Sequence, residues 1–230
     1  MKTITPILAL LSALTLTAFA ADPKDELKAA ANKLAQQPNY SWSLRSKSQN
    51  GAGGPGADSD GKIEKDGYAF MTVSFGNTDI EIATKGDKAA VKREDEWKST
   101  DELQGNDAAT ARRLKAFKLP AAEVQAFVEQ LEDVKKSDDG VYSGEFTDAG
   151  VKELFARVRR SRTAPTDAKG SAKFWIKDGM LTKYQYSVQG KVTTGADKRE
   201  VEIDRTTTVE IKDVGTTKVN IPDEAKKKLS

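Results

Sequence analysis

The chain has 230 residues, with 37 basic and 35 acidic side chains, a net charge of +2, 37% hydrophobic residues and neither histidine nor cysteine. This near balance of charge gives no reason to expect a nucleic-acid partner. Without histidine and cysteine, the chain has no Ser-His-Asp or Cys-His nucleophile, no thiol redox chemistry, no disulfide and no His- or Cys-liganded metal centre.

The N-terminal segment has the pattern of a secretory signal. Lys2 is followed by an apolar core at residues 7–16, and Ala18-Phe19-Ala20 matches the A-x-A cleavage pattern. This apolar core is shorter than the roughly 20 residues that a membrane span needs. We therefore expect residues 1–20 to be a signal peptide and residues 21–230 to form a single domain. That domain should be exported and soluble, in the periplasm or outside the cell, with no later integral membrane span.

The next segment predicts one helix and a meander of short strands. Asp22 can cap a helix whose apolar stripe is Leu27, Ala30, Ala31 and Leu34. A strand follows at residues 40–47. Residues 49–61 are rich in glycine and acidic residues, which predicts a flexible loop. Further strands are predicted at 67–75, 79–84, 88–92 and 96–98.

Helices are predicted in the middle of the chain. Asp107 can cap one helix, Pro120 can begin a second and Thr147 can cap a third. A strand at residues 141–146 separates the last two. The apolar residues of all three helices have α-helical spacing. They are Ala111, Leu114 and Phe117 in the first; Val124, Phe127, Val128 and Leu131 in the second; and Val151, Leu154, Phe155 and Val158 in the third.

In the last third of the chain, apolar and polar residues alternate with the period of two that is typical of strands. Strands are expected at residues 172–177, 181–192 and 200–212, then a short strand at 217–220 and a helix at 222–229. A short turn that contains Gly195 joins the strands at 181–192 and 200–212, so these two should pair antiparallel. The order of helix, strands, helices and strands predicts an α+β fold, a large curved antiparallel sheet with helices covering one face.

The acidic loop and the neighbouring carboxylates at Asp138-Asp139 and at residues 94–96 are weak indications of chemistry. Residues 56–63 resemble a phosphate-binding loop, but Ile63 stands where a hydroxyl residue is required. Asp58 and Asp60 leave a weak cation site open, although Lys62 interrupts the ligand spacing. We expect no catalytic residue, metal or cofactor.

Two groups of residues are candidate ligand contacts. The first is an apolar lining between the sheet and the helices: Phe70, Phe127, Phe155, Tyr184, Tyr186, Val188, Val201 and Ile203. The second is a basic cluster at the end of the third helix: Arg157, Arg159, Arg160 and Arg162. These arginines suit an anionic headgroup, and they also suit the negative end of a helix dipole.

The layout also resembles a known family. The sequence DELK at residues 25–28 leads into YSWS at 40–43, and FWIKDG at 174–179 precedes VEIKDVG at 209–215 and VNIPDEA at 219–225. This layout is similar to the outer-membrane lipoprotein carrier superfamily, which includes LolA-like carriers and LppX/LprG-type lipid-binding lipoproteins. The resemblance implies a half-barrel of antiparallel strands closed by helices, with an apolar pocket for acyl chains.

Three functions follow as hypotheses. The first is a non-catalytic envelope module that binds a lipid, a lipoprotein or another apolar ligand. The second is a structural or protein-interaction domain that contacts envelope proteins and has a filled core. The third is an exported hydrolase that uses carboxylates.

Overall fold

The computed structural model describes residues 22–49, 56–158, 164–194 and 199–230. These residues form one open antiparallel sheet of 11 strands in the order β6-β5-β4-β3-β2-β1-β11-β10-β9-β8-β7. The strands are β1 Asn39–Ser48, β2 Asp58–Glu64, β3 Tyr68–Phe75, β4 Thr78–Lys85, β5 Lys88–Arg93, β6 Glu96–Ser99, β7 Leu131–Lys136, β8 Val141–Phe146, β9 Thr166–Lys177, β10 Met180–Thr194 and β11 Arg199–Lys212. The predicted α+β class is confirmed, and the predicted signal peptide lies outside the described residues.

Five α-helices accompany the sheet in the described residues: α1 Pro23–Ala35, α2 Ala108–Ala116, α3 Pro120–Gln130, α4 Asp148–Val158 and α5 Asp223–Lys228. The backbone N–H of Lys24 donates to Asp22 Oδ1, which confirms the predicted cap of α1. Similarly, the N–H of Gly150 donates to Thr147 Oγ1 at the start of α4. Asp107 makes no such side-chain hydrogen bond to α2.

The register of the long strands defines one apolar face, which we call the inner face. Tyr184 of β10 lies opposite Val209 of β11 and Phe174 of β9, and Tyr186 lies opposite Thr207. Residues directly opposite in an antiparallel sheet project from the same face. Phe127 of α3 contacts Tyr186 at a ring-centroid distance of 5.1 Å, so this helix packs on the inner face. The expected antiparallel pairing of β10 with β11 is confirmed.

The other face, the outer face, carries a smaller apolar cluster. Helix α5 and the residues that flank it cover strands β4–β6 through Ile221, Ala225 and Leu229, which pack with Trp97. Lys228 Nζ donates to Glu102 Oε1 at 2.5 Å. This contact and the Ser99 backbone N–H lower the pKa of Glu102 to about 2. The outer face is therefore apolar and covered at the β6 end of the sheet, which the sequence did not predict.

Several sequence expectations need correction. Asp58–Glu64 forms β2, so residues 58–61 are not part of a flexible loop, and residues 50–55 of that loop lie outside the described residues. Leu131 begins β7 instead of continuing the helical stripe, and residues 217–220 form no strand. Phe70 lies on the outer face, where its ring centroid is 6.3 Å from that of Trp97. In β3 the inner positions are instead occupied by Ala69 and Met71, because alternate residues of a strand point to opposite faces.

Candidate ligand-binding cavity

A cavity of about 730 Å³ lies between the inner face and helices α2, α3 and α4. Its sheet side is aromatic and aliphatic, formed by Trp42, Leu44, Tyr184, Tyr186 and Val209. Its helix side includes Ala109, Ala116, Phe117, Pro120 and Ala156. The gap between a sheet and the helices that cover it closes only if the helix side chains are large enough to fill it. Here the helix side chains at the gap include small alanines, so a cavity remains.

A second cavity of about 270 Å³ adjoins the first and shares Leu44, Arg113 and Phe117 with it. The wall of this second cavity is formed mainly by strands β3 and β4 and by helix α2, with Met71, Val73, Ile80, Ile82 and Leu114. Together the two cavities present apolar surface from the middle of the sheet towards β4. Phe117, which is 38% exposed, stands between them.

A charged cluster interrupts the apolar wall of the larger cavity. Arg157 of α4 binds Glu123 Oε1 through Nη1 at 2.8 Å and Glu153 Oε1 through Nη2 at 2.6 Å. The hydroxyl of Tyr184 donates to Glu123 Oε2 at 2.6 Å, and Gln130 Nε2 donates to Glu153 Oε2 at 2.6 Å. All four oxygens of the two carboxylates therefore accept hydrogen bonds from the protein.

The pKa values of these two carboxyl groups are shifted in opposite directions. Burial raises the pKa of Glu123, against the opposing effects of Tyr184 and Arg157. The hydrogen bond from Gln130 and then that from Arg157 lower the pKa of Glu153. Burial, together with the nearby Glu123 carboxylate, raises the pKa of Tyr184 well above its usual value, so this phenol stays protonated and donates.

Three further cations line the larger cavity where it meets solvent. Arg112 and Arg113 lie in the second half of α2, and Lys118 follows that helix. All three side chains are exposed, and within the described parts of the chain none makes a hydrogen bond or ion pair. The charged groups of this cavity are thus four cations, counting Arg157, and the two carboxylates of Glu123 and Glu153.

No family model and no curated protein sequence matches the chain. Solved structures do. One is the lipoprotein LppX of Mycobacterium tuberculosis, 12% identical, with a TM-score of 0.48 over 87% of this chain and 98% of that one. LprF of Mycobacterium bovis is also 12% identical, with a TM-score of 0.45 over 88% and 97%. A domain described as an outer membrane lipoprotein-sorting protein, from Vibrio parahaemolyticus, is 10% identical, with a TM-score of 0.32 over 90% and 98%.

The structure separates the predicted apolar residues into three groups. Tyr184 and Tyr186 line the larger cavity. Phe127, Phe155, Val188 and Ile203 are buried in the part of the core that side chains fill, and Val201 packs against its border. Phe70 lies on the outer face, as described above. Of the predicted basic cluster, Arg157 lines the cavity, and Arg159, Arg160 and Arg162 lie outside the described residues.

Sequence reasoning missed much of the wall. Trp42 and Leu44 alternate on β1, and this period of two could have placed them together on one face. Glu123 precedes Val124 in the apolar stripe of α3 and carries no sequence signal of burial. Phe117 was predicted as part of a buried stripe, but α2 ends at Ala116 and Phe117 adopts an extended backbone beside the cavity.

Within residues 22–49, 56–158, 164–194 and 199–230, no three acidic side chains are grouped as metal ligands are. In the same ranges, no helix has both the length and the hydropathy required to span a membrane.

Proposed function

We propose that this chain is a non-catalytic envelope module that binds the apolar part of a lipid, a lipoprotein or a similar ligand in the cavity beneath α2. One observation carries the proposal, namely the space of about 730 Å³ with aromatic and aliphatic walls between sheet and helices. Binding pockets for small molecules typically have about 300–1,000 Å³ and mainly apolar walls. The family resemblance of the sequence supports the same function.

The cavity favours this function over that of a structural domain with a filled core. The core is filled where α3 packs on β8 and β10, since Phe127 contacts Phe146, Tyr184 and Tyr186 edge-on. Between α2 and β1 the corresponding space is open, and Trp42 and Leu44 face it. The apolar side chains that line this space make few favourable contacts when only water occupies it. An acyl chain in the same space would remove them from water and make van der Waals contacts with them.

One observation also favours the carboxylate hydrolase. Glu123 and Glu153 both line the cavity, and the raised pKa of Glu123 resembles that of a general acid. However, Arg157 binds both carboxylates, and Tyr184 and Gln130 occupy their other oxygens. Catalysis would require these hydrogen bonds to be broken, so we prefer the binding function.

Titration with a fluorescent fatty-acid probe tests the proposal. The wild-type protein should bind the probe saturably and without turnover. Replacing Leu44, which lines both cavities, by the larger side chain in Leu44→Trp should fill the space and weaken binding at least about tenfold, a change of about 1.4 kcal/mol. Gln189→Trp is the control, since Gln189 is exposed on the outer face of the same sheet.

The folded fraction of each variant should be checked by urea unfolding. If Leu44→Trp proves unstable, Ala116→Trp fills the same cavity from an exposed position of α2. Absence of saturable binding by the wild type would leave a structural or protein-interaction domain as the better description. Equal affinity in the wild type and in a folded cavity variant would place the probe elsewhere on the protein.

A further inference from the structure

Three cations lie where the cavity opens to solvent. Arg112, Arg113 and Lys118 line the same cavity as the apolar wall residues. None of them is bound to an acid within the described ranges, although the chain contains nearly as many acidic as basic residues. Three cations without an ion pair around one opening make its electrostatic potential positive.

The two acids that line the same cavity, Glu123 and Glu153, form no ion pair with these cations. Glu123 and Glu153 are held by Arg157, and their remaining oxygens accept from Tyr184 and Gln130. Lys118 is close enough to both carboxylates to contribute to lowering their pKa values, but it forms no ion pair with either. At the opening, Arg157 and the two carboxylates therefore bind one another, whereas the three other cations are able to bind an anion from solution.

We propose that the ligand is an amphiphile with one anionic head, a carboxylate or a phosphate, bound by Arg112, Arg113 and Lys118 while its tail enters the apolar cavity. This inference rests on the proposed function and names its ligand class. A guanidinium presents a planar set of donors that matches the oxygens of carboxylates and phosphates. Arg113 lies on the wall of both cavities, so a head bound there leaves either cavity available to the tail.

The position of the cations favours a single bound amphiphile over an anionic membrane surface. They lie beside Ala116 and Phe117, which belong to the apolar wall, and a head and tail joined covalently can contact both at once. Joining the two contacts in one molecule makes their free energies combine without a second loss of translational freedom.

Displacement of a neutral fluorescent probe, N-phenyl-naphthylamine, by ligands of equal chain length tests this inference. The set is palmitate, hexadecyl phosphate, methyl palmitate and hexadecyltrimethylammonium, each below its aggregation concentration. We expect the two anions to bind at least about tenfold more tightly than the neutral ester, and the cation most weakly. Raising the salt concentration should reduce the advantage of the anions and leave the ester unchanged.

Two variants assign the effect to the opening. The double substitution Arg113→Gln with Lys118→Gln should weaken palmitate and hexadecyl phosphate about tenfold and change methyl palmitate less than about twofold. The double substitution Lys169→Gln with Lys173→Gln is the control for net charge. It also removes two positive charges, both from exposed positions on the outer face of β9, and it should leave all four affinities unchanged.

The outcomes distinguish this inference from the function on which it rests. If no amphiphile displaces the probe, the binding function itself fails. If methyl palmitate binds as tightly as palmitate and the double variant behaves as the wild type, the cavity binds ligands but the anionic class is wrong. Inorganic phosphate alone should not displace the probe. Tight association with intact phosphatidylglycerol vesicles, without uptake of single lipids, would replace this inference by membrane docking.

Discussion

The Glu123 carboxyl group combines burial with only partial compensation of its charge. It is 13% exposed, accepts from Tyr184 and pairs with Arg157, yet its pKa is raised because burial outweighs these contacts. A buried carboxylate loses hydration that two hydrogen bonds only partly replace. Glu123 should therefore hold its proton to higher pH in the folded protein than in the unfolded chain.

This residue predicts a pH dependence with a definite sign. Above its ordinary pKa of 4.5 the unfolded chain loses the Glu123 proton while the folded protein keeps it. The contribution of Glu123 to stability is thus fully present below 4.5 and is lost as pH rises through the raised pKa, at about 1.4 kcal/mol for each pKa unit. In urea unfolding, the stability of the wild type relative to Glu123→Gln should fall as pH rises from about 4 to 8.

Glu153→Gln is the matched control, because the pKa of Glu153 is lowered. Its contribution is present above 4.5 and is lost as pH falls through the lowered pKa. The stability difference between the wild type and Glu153→Gln should therefore stay nearly constant from about pH 4.5 to 8 and decrease only at lower pH. Equal trends for the two substitutions would contradict the assignment of the raised pKa to Glu123.

Two phenylalanines, Phe117 directly after α2 and Phe127 within α3, lie in opposite environments. Phe127 of α3 is 1% exposed and packs edge-on against Phe146 and Tyr186, whereas Phe117 follows α2, is 38% exposed and lines both cavities. Removal of a buried aromatic side chain leaves a cavity in the core and lowers the free energy of unfolding. A side chain at the wall of an open cavity contributes its contacts mainly when a ligand is present.

This contrast predicts separate effects of one substitution type. Phe127→Ala should reduce the free energy of unfolding by about 3–5 kcal/mol. Phe117→Ala should change it by about 0.5 kcal/mol and should weaken probe binding about fivefold, or roughly 1 kcal/mol. Urea unfolding and probe titration on both variants measure these effects. A large loss of stability in Phe117→Ala would show that this residue belongs to the core and not to a binding surface.

At the level of elements, regular periods could be predicted and packing partners could not. The alternation in β10 and β11 identified both strands, and the short connection between them predicted their antiparallel pairing. β2 was missed because its inward positions include Gly61, which has no side chain to signal burial. A Cβ atom at Gly61 would overlap the indole of Trp42, so this glycine is explained by a partner from β1. Similarly, Phe70 could not be assigned to a face without the register of β3.

Across the whole molecule, the cavity depends on the pairing of distant parts of the chain. Strand β1 lies beside β11 in the sheet, so Trp42 and Leu44 face the same space as Tyr184 and Val209. The sequence predicted the long strands but had no local signal for the contact between the first and the last of them. Helix α2, which closes this space, is likewise placed by tertiary contacts, among them the ion pair of Arg93 with Asp107.

The two faces of the sheet have separate apolar clusters, and this separation leads to the last prediction. Leu229 is 2% exposed in the outer cluster, where it packs with Trp97 and Ala225, and it does not line either cavity. Leu229→Ala should therefore reduce the free energy of unfolding by about 2–5 kcal/mol and leave probe affinity unchanged while the protein is folded. Combined with Phe117→Ala, its effect on stability should be additive within about 0.5 kcal/mol, because the two residues lie on opposite faces. Unfolding and titration of the single and double variants measure both quantities. A loss of probe affinity in folded Leu229→Ala would mean that the outer cluster determines the shape of the cavity and that the faces are coupled through the sheet.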